Sequence, residues 1–141
     1  MIGENHGQVS LEYLLIFTIS LIILIAFTMP LVNKSMETTL DVSDSLKIKS
    51  DLSKIASAIK TVYGEGQGSK QTVNVYVPQS VKVNFESKYL SCNLKLKDKS
   101  NKYIKVPYKS NLESSSLTLK KGKNSVVVEW PAGSENMFVS V

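Results

Sequence analysis

The sequence contains no arginine, one cysteine and one histidine. Cys92 cannot form an intramolecular disulfide, and its alternation in phase with Leu90 and Leu94 predicts a small buried side chain. His6 lies at the extreme N-terminus, so the body of the chain lacks the residues for a zinc site or a histidine-based catalytic triad. With no paired carboxylates or activated nucleophile in the C-terminal half either, the sequence predicts a protein that is not an enzyme and needs no metal or cofactor.

Positive charge is unevenly divided along the chain, whose formal net charge is +5. Residues 1–63 hold five lysines and six acids, whereas residues 64–141 hold twelve lysines and six acids. Such an excess keeps exposed strands soluble and can also attract an acidic surface or polysaccharide. Nucleic-acid-binding proteins usually combine arginine with interleaved aromatic residues. That combination is missing here, so nucleic acid is disfavoured as a partner.

No charged side chain occurs from Tyr13 to Asn33. Residues 13–32 form an apolar run of 20 residues, enough at about 1.5 Å each to span a hydrocarbon core of about 30 Å. A secretory h-region usually has about 7–15 residues followed by a small-residue cleavage site, which does not fit this run. The run is therefore predicted to be a membrane-spanning helix, in which Pro30 either introduces a kink or ends the helix.

Helical periodicity continues beyond the apolar run. Spacings of three, four and three residues place one apolar set on a single helical face, namely Leu52, Ile55, Ile59 and Val62. Charged residues three or four apart are interpreted as a solvated face, namely Asp44, Lys47, Asp51 and Lys54. A helix over residues 8–63 would be far longer than a membrane requires, so its second half must pack on something outside the bilayer.

A glycine-rich segment, residues 64–70, ends the predicted helix. It is interpreted as a flexible linker, because its spacing and its helix-to-strand order do not fit a phosphate-binding loop. From Gln71 the apolar period changes to 2, over seven or eight short segments separated by turn residues. Pro107 is typical of an edge strand, and residues 120–124 are typical of a hairpin turn.

The fold class is therefore predicted to be α+β. A long N-terminal helix, hydrophobic and then amphipathic, would be followed by a small antiparallel β-sandwich or barrel over residues 71–141. Because about 70 residues make a thin core, the amphipathic half of the helix is expected to pack against this domain and complete its burial.

The segment ahead of the apolar run carries the most specific signal. It reads Gly7-Gln8-Val9-Ser10-Leu11-Glu12-Tyr13, with one carboxylate at the edge of an apolar helix. An acidic residue at the centre of a membrane helix costs about 2.5–3.5 kcal/mol, so a carboxylate this close to the hydrocarbon suggests a later positive partner. At these residues the chain resembles the archaeal type IV pilins with class III signal peptides, whose short leader ends in Gly before Gln-x-Ser-x-Glu-Tyr.

The resemblance implies processing by a membrane-embedded prepilin peptidase that cuts between Gly7 and Gln8. Residues 1–7 would be the leader peptide, and residues 71–141 the outer sheath domain of the mature subunit. The recognition motif would consist of Gln8, Ser10, Glu12 and Tyr13. The precursor would lie among lipids in the cytoplasmic membrane with its N-terminus inside, and an assembly platform would then transfer it to a pilus on the cell surface.

The chain would then be a structural subunit of an archaeal type IV-like adhesion pilus, a homopolymer in which residues 13–32 are buried head to tail. An open filament needs such heterologous contacts. Assembly is expected to involve Pro30 and Glu12, the latter neutralised by the new amine of Gln8 of the same or a neighbouring subunit.

One alternative function and one modification are also compatible with parts of the sequence. The chain could be a membrane-anchored extracellular β-sandwich binding domain that does not polymerise, although this leaves the Gln-x-Ser-x-Glu-Tyr stretch unexplained. Asn33-Lys34-Ser35 is a sequon for N-glycosylation, placed directly beyond the apolar run.

Overall fold

The computed structural model describes the backbone of residues 4–141 and the side chains of residues 7–141. Of the predicted leader, residues 1–3 and the side chain of His6 lie outside the described residues. The elements in chain order are α1 (Glu4–Glu65), β1 (Lys70–Val77), β2 (Val81–Phe85), β3 (Tyr89–Lys95), β4 (Asn101–Pro107), β5 (Ser115–Leu119), β6 (Gly122–Glu129) and β7 (Phe138–Ser140). This confirms the predicted α+β class, with one long helix followed by a small antiparallel domain of two sheets.

The chain divides into two compact units, Met1–Thr39 and Leu40–Val141, here called the helical unit and the β unit. In the helical unit, α1 continues through Pro30, so the alternative that the helix ends at this proline is wrong. Between Tyr13 and Asn33 the sequence holds no glycine and no second proline. The loss of one backbone hydrogen bond at Pro30 does not outweigh the hydrogen bonds of the helical turns around it. The kink at Pro30 stays a prediction.

The strands of the β unit form a three-stranded sheet, ordered β1-β6-β7, and a four-stranded sheet, ordered β4-β3-β2-β5. Every pairing between these strands is antiparallel. β4 lies at an edge of its sheet, where the missing N–H of Pro107 needs no partner strand, and the predicted edge position is confirmed. The strands therefore form two sheets and not one closed barrel.

The predicted hairpin turn at residues 120–124 is wrong. β5 pairs with β2, whereas β6 pairs with β1, so the chain crosses from one sheet to the other between Leu119 and Gly122. The φ angle of Gly122 is 107°, a conformation that favours glycine. The Asn124 side chain closes the connection, since it accepts from the Lys120 N–H at 3.0 Å and donates to the Lys120 carbonyl at 2.7 Å.

One hydrophobic core is shared by the second half of α1 and both sheets. The predicted apolar helical face is confirmed, because its members are no more than 1% exposed, namely Leu52, Ile55, Ile59 and Val62. The sheets contribute alternate strand residues such as Val83, Phe85, Leu94 and Val128. The helix thus supplies burial that seven short strands would not provide on their own.

The glycine-rich segment joins α1 to the first sheet. Gly66 has a φ of 91° and donates its N–H to the Val62 carbonyl at 3.0 Å, which makes it the left-handed cap of the helix. Gly68 donates its N–H to the carbonyl of Trp130, and the Trp130 N–H donates to the carbonyl of Ser69. The segment therefore connects helix and sheet inside one compact unit and does not separate two units.

Candidate functional site

The residues predicted to direct processing lie in the first turns of α1. Each residue of the segment is exposed, from Gly7 through Tyr13. Because residues four apart share a helical face, Gln8 and Glu12 are neighbours on one side of the helix. The two ion pairs found among the described residues join Lys54 to Asp51 and Lys70 to Glu129, so neither involves Glu12.

Gly7 is not required by the helix in which it lies. A Cβ added at this position would meet no atom of the described residues within 4 Å, and its φ is not in the positive range. A glycine inside a helix is less stable than alanine by about 0.5–1 kcal/mol. Neither the conformation nor the packing of the described helix therefore explains the glycine at this position.

The side chains of the apolar run are exposed and are not covered by other described residues of the helical unit. By length and composition α1 can cross a membrane, and its most apolar window has a mean hydropathy of 2.6 with none of it buried. Phe17 is 67% exposed and Phe27 is 73% exposed. Large contiguous apolar patches of this kind mark membrane or protein interaction surfaces.

The hydroxyl groups within the apolar run are satisfied by the helix itself. Thr18, Ser20 and Thr28 each donate to the carbonyl oxygen four residues earlier, at 2.8, 2.8 and 2.6 Å. An unpaired hydroxyl would cost several kcal/mol in an apolar medium. The run can therefore enter lipid or a protein interior without an unpaired hydroxyl donor at these positions.

Two further predicted residues lie on the same helix. Pro30 is inside α1 and cannot donate to the carbonyl four residues before it. Asn33 is helical and exposed.

The β unit holds the cysteine in an inert position. Cys92 is 1% exposed, and burial raises the pKa of its thiol to about 11. The thiol is therefore protonated near neutral pH, and a protonated thiol is a poor nucleophile. Within the residues that the structure describes, no three His, Cys, Asp or Glu side chains group together in a way that could hold a metal ion.

Two buried carboxylates of α1 were not found by sequence reasoning. Asp51, interpreted above as part of a solvated face, is 5% exposed, and this interpretation is wrong. Its carboxylate accepts the Tyr76 N–H of β1 at 3.1 Å and binds the Lys54 ammonium at 2.7 Å. Asp41, which is 9% exposed, accepts the Lys97 N–H at 3.2 Å. Asp41 and Asp51 lie on the same side of the helix as the buried Ile48. Their spacing from Ile48 was the signal in the sequence that could have predicted their burial.

Residues 5–31 match the family of class III signal peptides. The match covers the predicted recognition motif and most of the apolar run, and it confirms the resemblance seen in the sequence. It supports a type IV pilin-like precursor, a structural protein that is handled by a prepilin peptidase. No curated protein and no solved structure matches the chain.

Proposed function

We propose that this chain is the precursor of an archaeal type IV-like adhesion pilin, cleaved between Gly7 and Gln8 before it polymerises. The observation that carries the proposal is a class III signal peptide on a helix whose apolar window is entirely unburied. A membrane tether would use the apolar run in the same way. It would need neither the Gln-x-Ser-x-Glu-Tyr motif nor a glycine that the helix does not require.

Assembly would exchange the surroundings of the apolar helix. In the membrane, residues 13–32 are surrounded by lipid, with the N-terminus on the cytoplasmic side; in the filament they are surrounded by the same segment of other subunits. Because lipid tails are as apolar as Leu and Ile, this exchange would be driven by close packing between the helices and not by removal from water. The contact would be heterologous, since only such contacts continue into an open filament at the cell surface.

Leader removal would also change the charge at the start of the helix. Cleavage leaves a positive amine on Gln8, one helical turn from Glu12. The amine of the same or a neighbouring subunit would offset the negative charge of Glu12 in the apolar filament core. Pro30 leaves a carbonyl unpaired and would allow α1 to bend as subunits pack.

N-terminal sequencing of the protein recovered from archaeal cells, paired with negative-stain microscopy, tests the proposal. We expect a mature chain that begins at Gln8, together with filaments that contain it. Gly7→Val should block cleavage, because the new side chain obstructs the approach of a protease. Leu11→Val, a variant at a position that the motif leaves free, should be processed normally. A mature chain that retains Met1, on cells without filaments, would reject the pilin in favour of the tethered binding domain.

A second test concerns the charge of Glu12. Glu12→Gln should enter the membrane normally and yield fewer filaments, because the carboxylate that pairs with the new amine is gone. Microscopy gives the filament yield, and membrane fractionation gives the amount inserted. Filaments at the normal yield would exclude this role for Glu12.

A further inference from the structure

A basic cleft lies in the β unit between the second half of α1 and the β1–β6 strand pair. Its volume is about 540 Å³, and its lining includes Lys47 and Lys54 of α1, Tyr76 and Asn74 of β1, and Lys123 of β6. Ligand pockets in proteins span about 300–1,000 Å³, so this cleft is large enough to hold a small molecule or part of a polymer.

The cleft presents positive charge to a ligand. Among the described residues that line the cleft, the one acid is Asp51. This residue is 5% exposed, and its carboxylate is already bound to the Lys54 ammonium at 2.7 Å and the Tyr76 N–H at 3.1 Å. The charges of Asp51 and Lys54 therefore offset one another. Lys47 and Lys123 are exposed and are not part of any ion pair found among the described residues. These two ammonium groups favour an anionic ligand.

The uncharged groups of the cleft favour an anion that also carries hydroxyl groups, such as an acidic sugar. The Tyr76 side chain is 43% exposed, and the Lys47 ammonium lies 4.2 Å from the centre of its ring. Asn74 and Ser125, which face one another across the β1–β6 ladder, are both exposed and line the same cleft. An amide and a hydroxyl both donate and accept hydrogen bonds, as recognition of sugar hydroxyls requires.

We propose that this cleft binds carboxylated sugar units of an acidic polysaccharide. Lys47 and Lys123 hold the carboxylate, the Tyr76 ring supplies an apolar face, and Asn74 and Ser125 bind hydroxyl groups. The inference rests on the proposed function in one respect, since it names the material to which the pilus attaches. The site itself belongs to the β unit and does not depend on assembly.

A second basic cleft in the β unit provides a matched control. It is lined by Ser45, Lys49, Lys102, Tyr103 and Lys105 among others, and its volume is about 270 Å³. This volume falls below the usual range for a ligand pocket. Lys49→Ala with Lys102→Ala removes the same charge as Lys47→Ala with Lys123→Ala and leaves the larger cleft intact.

Binding is measured by titration calorimetry on the unassembled full chain in nonionic detergent micelles at about 0.15 M salt, where surface charges are screened beyond about 8 Å. The probe is an oligogalacturonate, and the neutral comparison is a malto-oligosaccharide of equal length. We expect the oligogalacturonate to bind and the neutral oligosaccharide not to bind. Lys47→Ala with Lys123→Ala should weaken binding about tenfold or more, since two charge-assisted hydrogen bonds are lost. The control pair should change it by less than about twofold.

Three results would overturn the proposal: no binding of oligogalacturonate, equal weakening by both lysine pairs, or equally tight binding of inorganic polyphosphate. Tyr76→Leu separates sugar recognition from simple charge, because it keeps the lysines and removes the ring; unchanged affinity would contradict the site. Far-ultraviolet circular dichroism of each variant verifies the fold. Since filaments are scored separately by microscopy, failure of binding and failure of assembly give different results.

Discussion

Individual residues of the β unit show how polar groups are accommodated next to its core. Asp51 lies on the helical face that packs against β1, where its carboxylate accepts the N–H of Tyr76. β1 is at the edge of its sheet, so this N–H has no partner strand on that side. A helix carboxylate thus takes the place of a missing strand at one point of the ladder.

Asp51→Ala should lower the free energy of unfolding of the β unit by about 1–3 kcal/mol, because it leaves a backbone donor unpaired. The lone tryptophan, Trp130, stacks on Tyr63 at a centroid distance of 5.9 Å, so its fluorescence follows denaturation by urea. Lys54→Ala is the control. The Lys54 side chain is 58% exposed, and exposed ion pairs contribute less than about 1 kcal/mol. Equal losses in both variants would contradict a specific role for the Asp51 hydrogen bond.

The thiol of Cys92 should be unreactive in the folded protein. Burial raises its pKa to about 11, so at pH 8 about one thiol in a thousand is ionised, and the thiolate is the nucleophile. We expect slow labelling by a maleimide reagent under native conditions and rapid labelling in urea, as measured by mass spectrometry. Rapid labelling without denaturant would show that strand β3 opens readily.

At the scale of one element, the C-terminus of α1 contains two glycines with opposite roles. Gly64 is inside the helix, whereas Gly66 caps it with a φ of 91°. A Cβ at either position meets nothing within 4 Å. Backbone conformation alone therefore decides the outcome of substitution.

Gly64→Ala should stabilise the β unit by about 0.5–1 kcal/mol, since alanine restricts the unfolded chain and suits a helix. Gly66→Ala should destabilise it by about 1–2 kcal/mol, because an L side chain is strained at positive φ. Thermal melting of the two variants, each compared with the natural chain, provides the measurement. Shifts in the same direction would mean that the helix ends elsewhere.

At the scale of the whole molecule, the position of the core determines which fragments of the chain can fold. Among the side chains that the structure describes, the buried apolar residues run from Ile48 to Met137, and seven of them belong to α1, namely Ile48, Leu52, Ile55, Ala56, Ala58, Ile59 and Val62. No side chain described before Leu40 is buried. The folding unit therefore includes the second half of the helix.

A fragment of residues 40–141 should fold cooperatively without detergent and protect Cys92 from maleimide. A fragment of residues 71–141 should fail to do so, because it exposes the sheet surfaces that α1 covers. Urea denaturation followed by circular dichroism compares the two fragments. A sigmoidal transition in the shorter fragment would show that the strands suffice as a domain.

The sequence predicts the positions of the helix and the strands better than it predicts how the strands pair. One side of each strand and of the second half of α1 faces the core, so periodicities of 2 and 3.6 identify them. The pairing of β5 with β2 produces no such pattern in the sequence, because the turn residues at 120–124 suit a hairpin and a crossover between sheets equally well. The segment that matches the class III signal peptides is contiguous, so its resemblance could be seen in the sequence directly. The basic cleft could not be seen in this way, since it joins Lys47 to Lys123 only through the fold.

The two buried carboxylates of α1 have a mechanical consequence. Asp41 bonds to the N–H of Lys97, just beyond strand β3 of the four-stranded sheet, and Asp51 bonds to the N–H of Tyr76 in the three-stranded sheet. Each sheet therefore has its own hydrogen bond to a buried carboxylate of the helix. Tension applied along this part of α1 would be shared between the two sheets.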